Sequence, residues 1–134
     1  MNTRVKQTRS PEPDFRNTRR RVQINHRSLN SQITEAKTYD SLQRVICQNH
    51  MNLNHVNTAT ALSRLARLKK HNHNRLKIHP QLINDLINSL NRNSQHFTPQ
   101  ALANSAWAFA KLNHPLPQRL IQAFQQCTSY HQFN

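Results

Sequence analysis

Phe97-Thr98-Pro99-Gln100-Ala101-Leu102-Ala103-Asn104-Ser105-Ala106-Trp107-Ala108-Phe109-Ala110-Lys111-Leu112 is the stretch that decides the fold class. Thr98 suits the N-cap, because its hydroxyl can accept from an amide that a helix leaves unpaired at its start. Pro99 then falls at the first helical position, where a missing N–H is no loss. Phe97, just outside the cap, is placed to close over Leu102 as a hydrophobic staple. Leu102, Ala103, Ala106, Phe109 and Ala110 recur at helical spacing and predict one apolar stripe. The small residues on it let a second helix approach closely. The segment reads as a helix made for packing against other helices.

Leu53 to Leu68 lies 44 residues earlier and is a weaker copy. Leu53 aligns with Phe97, Asn54 with the capping Thr98, Leu65 with Phe109, Arg67 with Lys111 and Leu68 with Leu112. A second pair of segments, Pro80 to Ile87 and Pro117 to Phe124, matches at a spacing of 37. Each opens with Pro-Gln and then sets apolar residues three and four apart. The longer loop from Lys69 to His79 accounts for the difference between the two spacings. Two helices repeated with such periods are the signature of an α-solenoid. The predicted class is all-α, a short α-solenoid of helix-turn-helix repeats.

The run from Phe97 to Leu112 resembles the signature helix of octotricopeptide repeats. In that family an aromatic residue, Pro-Gln, Leu-Ala-Asn and Trp-Ala-(Leu/Phe)-Ala-Lys-Leu recur about every 38 residues, within the period range of helical arrays. Similar repeats occur in organellar FAST-kinase-like RNA-binding proteins and in proteins of intracellular bacteria. The copy at 53–68 departs from the pattern, lacking its Pro, Gln, Asn and Trp. The resemblance covers residues 34–128 and implies single-stranded RNA binding by paired helices. The nuclease-like module that ends some family members has no counterpart here.

Residues 1–30 are expected to be a disordered basic tail. Eight basic residues there oppose Glu12 and Asp14, a net charge of +6, and apolar residues are sparse. Arg19-Arg20-Arg21 reads as a solvated tail, as a nucleic-acid arm, or as an organelle or nuclear address. Residues 31–134 form the predicted repeat region, about two and a half repeats. Its first helix begins at Ser31 or Thr34, carries Tyr39, Leu42, Val45 and Ile46, and is the second helix of an incomplete leading unit. Helices from Asn54 to Lys69, Pro80 to Arg92, Thr98 to Leu112 and from Pro117 follow. Tyr130 to Asn134 resembles the lead-in Ser94 to Thr98, as though another repeat would start there. Further repeats or a protein partner are therefore expected to cover that end.

Composition removes several function classes. Gly is absent from all 134 residues, which excludes a P-loop or a dinucleotide fingerprint and leaves Asn to form left-handed helix caps. Five acidic residues, two of them in the tail, leave Glu35, Asp40 and Asp85 on different helices, too scattered for paired-carboxylate or two-metal chemistry. Cys47 and Cys127 read as reduced, buried thiols, neither with a base beside it to make a nucleophile. Histidine groupings such as Cys47, His50 and His55, or His71, His73 and His79, follow no known ligand spacing. No enzymatic activity, metal or other cofactor is expected. No apolar run reaches the length of a secretory or membrane-spanning segment, so no membrane partner is expected either. Reduced thiols and the resemblance together point to a bacterial cytoplasm, with organellar or secreted-effector targeting left open.

A formal charge of +14 instead calls for a polyanion. Opposite the apolar stripe of the signature helix lie Ala101, Asn104, Ala108 and Lys111, and in the earlier copy Asn57, Thr60, Arg64 and Arg67. Stacked hairpins would align the two stripes on one concave face. Arg64, Arg67, Lys69, Lys70 and Lys111 would then meet phosphates, with Arg19, Arg20 and Arg21 of the tail. Thr60 and Asn104 would meet base edges. Trp107 has two readings, a base-stacking platform or interhelical packing beside Leu102, Ala106 and Ala110; packing is the expectation. The alternatives to RNA binding are a protein-interaction solenoid, such as a secreted effector, and the N-terminal fragment of a longer repeat protein.

Overall fold

A computed structural model describes residues 24–72 and 75–132, with side chains as far as Cys127. The described residues form six α-helices: α1 (His26–Glu35), α2 (Tyr39–Asn49), α3 (His55–His71), α4 (Pro80–Asn93), α5 (Pro99–Lys111) and α6 (Gln118–Gln132). A short 3₁₀ turn, Ser94–His96, joins α4 to α5. No described helix is long and apolar enough to cross a membrane.

The helices start where the polar side chains dictate. Asn25, Thr38, Asn54 and Thr98 each accept a hydrogen bond from the backbone N–H three residues on, opening α1, α2, α3 and α5. On α3 this becomes a full capping box, because the Asn57 side chain accepts in return from the Asn54 N–H. The end of α5 bears out the role given to asparagine. Asn113 sits at φ 57 and its N–H donates to the Ala110 carbonyl, while the His114 N–H donates to the Phe109 carbonyl. The His114 ring lies 5.5 Å from that of Phe109, which completes a Schellman motif with its apolar contact.

Helices α1, α3 and α5 lie side by side in one row, and α2, α4 and α6 in another. Each helix of the first row packs on the helix that follows it in sequence, and α3 also touches α2. The core fills the space between: Ile33, Leu42, Ile46, Leu62, Leu65, Leu82, Leu86 and Phe109 are fully buried, and so is Leu120. Burial follows the 44-residue register in α3 and α5 in part: Thr58 and Leu102, Ala61 and Ser105, Leu65 and Phe109, and Leu68 and Leu112 are all buried, while Ala66 is buried and Ala110 exposed.

Three expectations are corrected. Residues 26–30 belong to α1, so the expectation of a disordered tail as far as residue 30 does not hold for them. Leu29 and Ile33 bury against the core, and that burial outweighs the basic composition of the segment. The rest of the predicted tail, residues 1–23, lies outside the described residues. Two helices, α1 and α2, thus stand where a single one was expected, and the chain breaks between them where Thr38 caps α2. Next, α4 and α6 register at 38 residues rather than 37. Leu82 and Leu120 each donate to the carbonyl three residues back, at His79 and Pro117. Pro80 therefore lies inside its helix, and Pro117 stands at the position before it. Finally, Cys47 is exposed and Cys127 half-buried, both as free thiols.

Candidate nucleic-acid interface

The solvent side of the first row carries a groove that follows α3 between its neighbours. Its upper part holds about 470 Å³ and is bordered by Thr34 of α1, Thr60 and Ser63 of α3, and Gln100 and Asn104 of α5. Arg64 and Arg67 border it too and continue into a lower part with Lys70, His71 and Trp107. Helical geometry explains the line of cations. Positions 60, 64, 67 and 71 fall three and four apart on one face, and 63 and 70 flank them. From α5, Lys111 places its Nζ 6.0 Å from the centroid of the Trp107 ring, and Arg67 places its Cζ at 5.6 Å.

Among the described residues, none of Arg64, Arg67, Lys70 and Lys111 forms an ion pair with a carboxylate; the one acidic contact is His50 Nδ1 to Asp85 Oδ1 at 3.8 Å, on other helices. Among the described residues, then, no carboxylate offsets the positive charge of the groove. The side chains are not equally available. Arg64 is half-buried and its Nε donates to the Ala36 carbonyl at 3.0 Å, at the end of α1. Thr60 donates its hydroxyl to Val56 within its own helix, which leaves only lone pairs for a ligand. Asn104 is exposed and keeps both amide donors and the carbonyl for a ligand.

Thr60, Arg64, Arg67, Lys70, Asn104 and Lys111 are thus brought together as the sequence suggested. Lys69 is not. It projects from the far side of α3 and donates to the Leu112 carbonyl at 3.3 Å, tying α3 to the end of α5. Arg19, Arg20 and Arg21 lie outside the described residues.

Four stripe assignments also fail. Asn57 is fully buried, where its Nδ2 donates to the His26 carbonyl at 3.0 Å and bridges α1 to α3. Ala108 is buried, while Ala103 and Ala110, expected inside, are exposed. The inward face of α5 runs through Leu102, Ser105, Ala108, Phe109 and Leu112, a rotation from the alanine-based stripe. That rotation takes Trp107 out of the helix interface and leaves it 36% exposed in the groove. Its aligned residue on α3 is Ser63, a polar side chain at the same helical position. That pairing was the available signal that the position faces water. No family model, curated protein or solved structure matches the chain.

Proposed function

We propose that this chain is a short α-solenoid of three helix-turn-helix units that binds single-stranded RNA and catalyses no reaction. The observation that carries the reading is the groove itself. Arg64, Arg67 and Lys70 of α3 line one open channel, Lys111 of α5 lies against its Trp107, none of the four has a carboxylate partner among the described residues, and Thr60 and Asn104 stand beside them with hydrogen-bonding groups for base edges. The two rows of helices, the recurring N-caps and the shared burial register support the repeat architecture. The likeness of residues 97–112 to octotricopeptide repeats supports the same ligand class.

Binding of this kind is driven by counterion release, so its affinity falls with salt. Titration of labelled single-stranded RNA at several salt concentrations tests it. Replacing Arg67, Lys70 and Lys111 together by Gln is expected to make the plot of log K against log[salt] shallower by about 2, from about 0.7 per phosphate contact. Arg19→Gln, Arg20→Gln and Arg21→Gln in the full chain measure the share of the tail. An unchanged slope in the groove variant would remove the groove from RNA binding. Tight binding of an acidic polypeptide, with none of RNA, would transfer the site to a protein partner.

A further inference from the structure

Trp107 is the one tryptophan of the chain, and it belongs neither to the core cluster nor to the hydrophobic side chains packed against it. Its aligned partner on α3 is Ser63, so the repeat does not need a large ring there. The ring is 36% exposed, and two cations from different helices, Arg67 and Lys111, lie within 6.0 Å of its centroid. Lys70 and His71 complete the depression around it. Such a site offers two things at once: a π-surface and a set of cations with no acidic partner among the described residues. An acidic peptide satisfies only the cations. An apolar peptide satisfies only the indole. A nucleotide satisfies both, because it carries a flat base one sugar away from a phosphate.

We infer that Trp107 is a stacking platform for one nucleotide base, flanked in the groove by Arg67 and Lys111. The inference rests on the RNA-binding reading and adds to it the place and manner of base contact. Ligand entry is an exchange of partners. Phosphates draw Arg67 and Lys111 into charge-assisted hydrogen bonds, and the base takes the ring surface they leave. Stacking on an aromatic platform outweighs an exposed cation–π contact, so the exchange runs toward the bound state. Stacking is also tolerant of base identity, since every base has a π-face. Trp107 therefore adds affinity without choosing a sequence.

The test uses the full chain, a short mixed-sequence single-stranded RNA, and an abasic strand of equal length and phosphate number. Emission of the single tryptophan and the dissociation constant are followed together. The base-bearing strand is expected to quench the emission and to bind about 5- to 150-fold more tightly than the abasic one. Trp107→Ala is expected to lose that factor for the base-bearing strand and to leave the abasic strand unaffected. Trp107→Phe keeps an aromatic surface and is expected to retain most of the difference; its thermal melt checks that the fold survives. If the two strands bind alike, or Trp107→Ala binds RNA as tightly as the parent, the stacking site is wrong while RNA binding stands. If an acidic polypeptide quenches the emission as fully as RNA, a base is not what covers the ring. Failure of both strands to bind at any salt concentration removes the RNA-binding reading and the platform with it.

Discussion

Asn57 shows how much a single polar side chain can hold together in this chain. Its Oδ1 accepts from the Asn54 N–H at 3.1 Å, and its Nδ2 reaches His26 O at 3.0 Å and Asn30 Oδ1 at 3.3 Å. Asn57→Ala deletes half of a capping box and strands a carbonyl beneath α1. A loss of about 2–3 kcal/mol in urea unfolding is expected. Ser105 is the opposite case. Its buried hydroxyl has no hydrogen-bond partner among the described residues, and the residue aligned with it on α3 is Ala61. Ser105→Ala is expected to stabilise by about 1 kcal/mol, with a midpoint shifted to higher denaturant at an unchanged slope. Neither residue was legible from its type alone. Asparagine and serine read as solvent-facing, and it is the partner helix, invisible in a single sequence, that makes them interior.

Element scale separates what periodicity can find from what it cannot. Helices α3 to α6 were readable from apolar spacing and from the Pro-Gln and Thr-Pro starts, within a few residues at their ends. The break between α1 and α2 was not, because Ala36-Lys37-Thr38 contains neither Gly nor Pro and differs little in type from its surroundings. The phase of α5 was ambiguous for another reason: alanines stand on both sides of Leu102 and Phe109, so the apolar stripe can be drawn on either. That ambiguity hid the exposure of Trp107, whereas on α3 the charged Arg64 and Arg67 limit where the apolar stripe can be drawn. The assignment of α1 has a direct check. Ile33 is fully buried, so Ile33→Ala is expected to destabilise by about 2–4 kcal/mol in chemical unfolding. No measurable effect would mean that this segment does not pack on the core.

At the scale of the whole molecule, charge sets two opposing responses to salt. With a formal charge of +14 and little acid to offset it, the folded chain repels itself. Screening relieves that repulsion, so the thermal midpoint is expected to rise as salt is added, by a few degrees for each ~1 kcal/mol recovered. The RNA affinity proposed above is expected to move the other way under the same titration. A midpoint that falls with salt would mean that the cations are already neutralised within the protein.

Arg64 joins these scales. Its Nε is spent on the Ala36 carbonyl, while the rest of the guanidinium faces the groove. An anion that settles on that side chain fixes the rotamer, and the fixed rotamer clamps the last turn of α1. Occupancy is thereby coupled to the opening of the first hairpin. Backbone amides of α1 are expected to exchange with deuterium more slowly once RNA is bound, and Arg64→Gln to abolish the added protection.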